Sequence, residues 1–331
     1  MKHNWTVTLL LISFFVLAQV FGLWLINKEA KLTLDLKTNA TAVTFDNTAV
    51  GARPQTTGSG SLIYILIAIA VGTGLVLLIA KFGKTRLWRL WFFLAVWMAL
   101  SVSIGVLIKT KIFFDFDIAI VLALILASWK LFRPNIVVHN LTEVLMYAGI
   151  GLIIVPLFDV KWAIILLLII SVYDMYAVWK SKHMVKMAQF QTESKVFAGL
   201  MVPYRQDEKT KKVEIFATPK DASLVRNTTP KIRAGKTAPQ NAILRGGDIA
   251  FPLIFIGCVM NGMILKMSLA NPSMLLSQIK LIAYLQSSVI IVTTTIALTL
   301  LFVYAKKGKF YPAMPFITAG CLVGWAITLL F

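Results

Sequence analysis

Apolar residues fall in long blocks along this chain, each running through both faces of any helix or strand it could form, with short polar segments between them. A block of about eighteen or more apolar residues matches the hydrocarbon thickness of a bilayer as a helix. Nine blocks approach or exceed that length, at 7–26, 61–80, 87–108, 112–129, 144–158, 162–180, 249–267, 281–304 and 313–331. The fifth is short and contains Pro156, and it reaches spanning length by borrowing residues from Ile136 onward. The first follows Lys2 and could be taken for a signal peptide. Its apolar run is longer than the roughly 7–15 residues of a signal h-region, and no small-x-small cleavage site follows, so a retained helix is expected. The predicted fold class is therefore an all-α polytopic membrane protein with nine transmembrane helices.

Two polar pieces interrupt this pattern. Residues 27–60 form an outer loop that ends in the turn-rich stretch Pro54-Gln-Thr-Thr-Gly-Ser-Gly60. Residues 181–246 form a basic inner loop, within which Val213-Glu-Ile-Phe-Ala-Thr218 reads as a short strand. The chain thus divides into a six-helix membrane part (1–180), the hydrophilic loop (181–246) and a three-helix membrane part (247–331). Asn39-Ala40-Thr41 fits a glycosylation acceptor. No internal repeat is visible.

Composition agrees: 58% of the 331 residues are apolar and 14% charged, with a mean hydropathy of +0.80. Soluble domains carry about 45–50% and about 25%, so a soluble enzyme, a disordered tail and a secreted disulfide scaffold are excluded. The formal charge of +19 would suggest nucleic acid in a soluble protein, whereas in a membrane protein it reports topology. Lys81, Lys84, Arg86, Arg89, Lys130 and Arg133 crowd the short loops on one side, as do Lys306, Lys307 and Lys309, and the long basic loop lies there too. The positive-inside rule then sets the N-terminus in the cytoplasm and the C-terminus outside the cell membrane. Trp88, Trp91, Trp129, Trp162 and Trp179 sit at block ends, where interfacial aromatics belong. Cys258 and Cys321 lie in apolar blocks and require no disulfide.

With only 14 acidic residues, each can be assigned. Glu143, Glu193, Asp207, Glu208, Glu214 and Asp221 belong to inner segments, and Glu29, Asp35, Asp46, Asp115, Asp117 and Asp159 to outer ones, which leaves Asp174 and Asp248. Asp174 interrupts the sixth apolar block, where a carboxylate costs several kcal/mol unless neutralised or paired. Asp248 follows Arg245-Gly246-Gly247 and opens the seventh block, where an aspartate also serves as a helix N-cap. Six residues separate Asp174 from Lys180, about 9 Å at the helical rise. The two acids can therefore meet at one depth on consecutive antiparallel helices, with no third intramembrane acid to pair with either.

Two carboxylates together in a low-dielectric site cannot both ionise and so share a proton. One can then act as general base on a water and the other as general acid on a scissile carbonyl, which is aspartic-protease chemistry without a metal or cofactor. Gly246 and Gly247 allow an extended peptide to approach. Tyr173 could hydrogen-bond near the acids. Tyr311-Pro-Ala-Met-Pro-Phe316 opens the ninth block, and its prolines leave backbone carbonyls without local donors for a substrate strand to use.

These residues resemble the presenilin and signal peptide peptidase class of intramembrane aspartyl proteases. The family pattern of YD, GxGD and PAL on helices six, seven and nine is matched by Tyr173-Asp174, by Gly247-Asp248 and by Pro312-Ala313-Met314. The nine spans, split six and three by a hydrophilic loop, extend the likeness over the whole chain, and the plan looks like that of an archaeal or bacterial homologue. The resemblance implies Asp174 and Asp248 as the catalytic pair and Tyr173, Gly246, Gly247, Pro312, Ala313 and Met314 as supporting or substrate-binding residues. It further implies single-span transmembrane substrates and membrane lipids as partners, with no nucleic acid and no obligatory protein partner. The inferred orientation is that of presenilins, which prefer substrates with outside N-termini. Two positions depart from the pattern: Arg245 replaces the first glycine of GxGD, and Met314 the leucine of PAL. A leucine-to-methionine change nearly conserves volume, but a cation beside Asp248 could alter the shared proton unless its side chain reaches the headgroups. A prepilin-type aspartate peptidase and a proton-coupled transporter using Asp174 are the alternatives. No GxSxG or HExxH sequence supports a serine or metal route, and His3, His139 and His183 all lie toward the inner side.

Overall fold

The computed structural model of the chain describes residues 5–35, 40–54, 56, 58–83, 85–109, 111–112, 116–133, 135–181, 198–204, 240–305 and 311–330. Nine α-helices lie among them: α1 (Trp5–Glu29), α2 (Ser59–Lys81), α3 (Thr85–Leu107), α4 (Ile118–Phe132), α5 (Ile136–Ile154), α6 (Val160–Tyr176), α7 (Gly246–Ala270), α8 (Leu276–Tyr304) and α9 (Met314–Thr328). Seven helical segments are long and apolar enough to cross a membrane, and α4 and α9 are shorter apolar helices. Each satisfies its own backbone polar groups, as a chain in hydrocarbon must. Local signals set the ends. The Asp117 carboxylate accepts the Ala119 N–H (3.2 Å) at the start of α4, and the Asn135 amide oxygen accepts the Val137 N–H (2.9 Å) at the start of α5. Helix α5 begins at Ile136, where the short fifth block was expected to borrow residues, and Pro156 ends it in a 3₁₀ turn, Val155–Leu157. A π turn, Ala177–Ser181, continues α6.

Helix α1 runs through the middle of the bundle and packs against α5, α7 and α8. Helices α3, α4 and α5 form one side; α6, α7, α8 and α9 form the other, while α2 packs against α3 and α6. Small residues let the axes approach, as in other membrane helix pairs. At Gly149 a Cβ would lie 2.0 Å from the Ala99 carbonyl oxygen, so no side chain fits where α5 crosses α3.

Among the described residues, three antiparallel strand pairs decorate the helix ends. On one side of the bundle β1 (Lys31–Asp35) pairs with β2 (Ala40–Thr44), and β3 (Lys111–Ile112) with β4 (Phe116–Asp117). On the opposite side β5 (Gly199–Tyr204) pairs with β6 (Gln240–Arg245), with Gly199 opposite Arg245 and Tyr204 opposite Gln240. Strand β6 leads directly into α7. The strand expected at 213–218 lies outside the described residues, as do Asn39, the acceptor of the glycosylation triplet, and most of the loop.

Candidate active site

Asp174 and Asp248 are both buried, at 8% and 6% exposure, although each lies in an apolar helix. Asp174 is on the last turn of α6 and Asp248 on the first turn of α7, helices that pack directly on each other. The two carboxylates are close enough to act on each other electrostatically. Both lie at the same end of the bundle because of the chain path: α6 runs to this side and α7 returns from it.

Asp174 is held from a third direction. The Met314 N–H donates to Asp174 Oδ2 at 3.2 Å, and the Ala313 N–H also interacts with that carboxylate. The first N–H groups of a helix have no intrahelical acceptor, so Asp174 serves α9 as an N-cap supplied by a different helix. The Pro312-Ala313-Met314 segment, buried at all three residues, thus meets the acid through its N–H donors, where the sequence suggested carbonyl acceptors. Ser171 Oγ and Thr318 Oγ1, 2.6 Å apart, tie α6 to α9 one turn away. Around Asp248, Pro252 has no N–H to offer the carbonyl four residues earlier, and the fully buried Gln19 of α1 donates to the neighbouring Ile249 carbonyl at 2.8 Å.

The other expected residues fall in different places. Arg245 ends β6 with its Nη1 3.6 Å from Asp174 Oδ1 and its side chain 40% exposed. It therefore lies at the rim of the site and does not turn away to the headgroups. Gly246 faces Tyr147, Gly247 is exposed, and Phe251 is its nearest side chain. Tyr173 is 51% exposed, about 100° around α6 from the buried Asp174.

One assignment requires correction. Glu143 does not belong to an inner loop: it lies within α5, fully buried, in an ion pair with Lys130 of α4 and accepting a hydrogen bond from the Tyr147 hydroxyl. Glu143 is therefore a further buried acid on the same side of the bundle as Asp174 and Asp248, and Glu29, the last residue of α1, is buried at the opposite side. Sequence reasoning missed Glu143 because the fifth apolar block was bounded at 144, eight residues after the helix begins at Ile136, and it missed Gln19 because one amide barely lowers the hydropathy of an apolar run.

The sequence profile described as signal-peptide peptidase, presenilin aspartyl protease matches residues 12–331. No curated protein matches the chain. Two structures of a presenilin-family intramembrane aspartate protease are similar in fold: one in the C222 space group (TM-score 0.57, 98% of each chain covered) and one in the P2 space group (TM-score 0.58, 99% of each covered). Each is 14% identical in sequence to this chain. With the profile running from within α1 through α9 and the bundle folded in the same way, the chain belongs to the signal-peptide peptidase and presenilin family of intramembrane aspartyl proteases.

Proposed function

We propose that Asp174 and Asp248 are the catalytic pair and that they hydrolyse peptide bonds of transmembrane helices through a shared proton and an activated water. The observation that carries this reading is the convergence of two buried carboxylates from α6 and α7 with the N-terminus of α9. Of two carboxyl groups in a dry site only one ionises readily. The ionised one draws a proton from water as it attacks the scissile carbonyl. The protonated one hydrogen-bonds the carbonyl oxygen and stabilises the tetrahedral intermediate, and proton return to the amine completes cleavage. The chain supplies every group in these steps. Among the described residues, no three His, Cys, Asp or Glu side chains gather to hold a metal.

A helical substrate must unwind locally before its carbonyl can be reached. Strand β6 ends next to Gly246-Gly247-Asp248, and Gly247 leaves open backbone for an extended segment to lie against. An unwound substrate strand would recover its lost hydrogen bonds by pairing with this edge.

The basic residues of the inner loops support an N-in, C-out orientation, and with it single-span substrates whose N-termini are outside. The polar stretch between α6 and α7 would then be cytoplasmic, dividing the six-helix part from the three-helix part, and the apolar faces would be solvated by membrane lipid.

The test is cleavage of a single-span substrate by purified protein beside Asp174→Ala and Asp248→Ala. Both variants should be silent while remaining folded; residual cleavage by either would overturn the pair. Equal cleavage of substrates in both orientations would remove the orientation.

A further inference from the structure

The buried group that the proposed chemistry leaves unused is Glu143 with its partners. Its carboxylate takes the Lys130 ammonium on one side and the Tyr147 hydroxyl on the other, and it accepts the Gly199 N–H at 2.9 Å. All three side chains are almost completely shielded. One turn away along α5, the Asn140 amide pairs with both backbone groups of Met201: its oxygen accepts the N–H and its nitrogen donates to the carbonyl, each at 2.9 Å. His139 Nε2 donates to the Gly199 carbonyl at 2.9 Å.

These contacts decide which edge of the small sheet is available. In a strand the backbone groups of alternate residues point to opposite sides. Those of Gly199 and Met201 are taken by α5, so β5 pairs with β6 through Leu200, Val202 and Tyr204. Their partners on β6 are Leu244, Ala242 and Gln240, so Ile243 turns its backbone groups outward. Asn140 thus occupies the place that an incoming strand would take on β5.

The same network reaches the first turn of α7. A Cβ built at Gly246 would lie 2.8 Å from Tyr147 Oη and 3.0 Å from its Cε1, so the tyrosine lies directly against the backbone two residues before Asp248. Its own position is fixed by the hydrogen bond to Glu143, and Glu143 is fixed by Lys130, whose ammonium also lies 5.9 Å from the Phe92 ring centroid of α3.

We propose that Asn140, Glu143 and Tyr147 are positioning residues of the protease: Asn140 and Glu143 lock β5 so that the outward edge of β6 receives the substrate strand, and Tyr147 sets the backbone at Gly246 that carries Asp248. The proposal rests on the reading of Asp174 and Asp248 as the catalytic pair. It separates binding from chemistry. Losing the Asn140 clamp loosens the docking edge and acts on KM, whereas losing the Tyr147 hydroxyl displaces the acid and acts on kcat.

The experiment measures kcat, KM and Tm of the full chain in detergent with one single-span substrate. The variants are Asn140→Leu, Tyr147→Phe and the paired Lys130→Met/Glu143→Gln, which removes both buried charges together. Asn140→Leu is expected to raise KM about tenfold, equivalent to about 1.4 kcal/mol, with kcat within about twofold. Tyr147→Phe is expected to lower kcat about fivefold at little change in KM. The paired variant should show both effects while melting close to wild type. Variants that melt normally with kcat and KM both within about twofold of wild type would overturn the proposal, as would losses that track Tm and vanish in a colder assay. Hydrogen exchange separates this failure from that of the catalytic reading. If cleavage survives Asp248→Ala, the pair is wrong, yet the Met201 amide, whose acceptor is Asn140, should still exchange faster in Asn140→Leu; unchanged exchange there would overturn the clamp by itself.

Discussion

The two ends of the helical bundle carry ionic networks built from the same residue types in opposite environments. At the end where α6 meets α7, Lys130 and Glu143 are 2% and 0% exposed and lie among helices. At the other end, Lys31 and Lys109 hold Asp46 at 2.7 and 3.6 Å with every member about half exposed. Only Glu29, 3.0 Å from Lys109, is buried there. Arg53 completes this outer cluster by donating to the Asp46 carbonyl at 2.7 Å and to the Leu152 carbonyl at the end of α5. The difference is one of consequence. Water can replace either lysine beside the exposed Asp46, so each of its pairs is worth about 0–1 kcal/mol. A charge in the dry network has no substitute, so removing its partner costs about 3–5 kcal/mol. The candidate active site adjoins the dry network, and geometry that must not drift is best held where no water competes.

Breaking the comparison at its strongest point means Lys130→Met alone. It leaves the Glu143 carboxylate buried and unpaired and should cost about 3–5 kcal/mol, seen as a large fall in Tm that adding Glu143→Gln largely reverses. Next comes Gly246→Ala, whose methyl would meet Tyr147. Displacement of the acid should cut cleavage by roughly tenfold to a hundredfold, and adding Tyr147→Phe should recover part of it. A smaller effect is expected of Gln19→Leu. It removes one buried hydrogen bond to the Ile249 carbonyl, worth about 1 kcal/mol, and should appear as a modest loss in both Tm and activity. The smallest effect belongs to the outer cluster. Asp46→Asn should change stability by less than about 1 kcal/mol, vanish in high salt and leave cleavage untouched.

The pH behaviour sharpens the same contrast. The hydrogen bond from Lys31, assisted by the charges of Lys31 and Lys109, holds Asp46 below the usual carboxylate range. Its contribution is present above that range and is lost only as pH falls through the lowered value. The hydrogen bond to Glu29 raises Lys109 above the usual lysine range, so its contribution is present below that range and is lost only as pH rises through the raised value. The Asp46 and Lys109 contributions are therefore constant between about pH 5 and 9, and thermal unfolding across that window should show no step from either group.

How much of this was legible depended on whether a residue stood out from its neighbours. The nine helices follow from block length alone, and Asp174 was visible because a lone carboxylate interrupts an otherwise apolar run. Asp248 was visible because glycines precede it at a block edge. Glu143 and Lys130 were hidden by their own pairing. Each sits near a block end, where a charge is ordinary, and only the fold brings α4 and α5 together to bury both. The β5–β6 sheet was hidden for a related reason. Leu200 and Val202 alternate with Met201 and Pro203, and Ala242 and Leu244 flank Ile243, but each run is short, one carries a proline, and a long polar segment separates them. Arg245 was recognised as a departure from the family pattern, yet its approach to Asp174, the acid on the other helix, is a property of the packing of β6 beside α6.

The most direct measurement is the pH dependence of kcat for cleavage of a single-span substrate, recorded with and without a chelator. Two carboxyl groups sharing one proton predict a bell with two apparent pKa values belonging to the pair, unchanged by chelation and absent from Asp174→Asn and Asp248→Asn. A profile with a single limb, or activity lost to the chelator and restored by a divalent cation, would contradict the two-aspartate account.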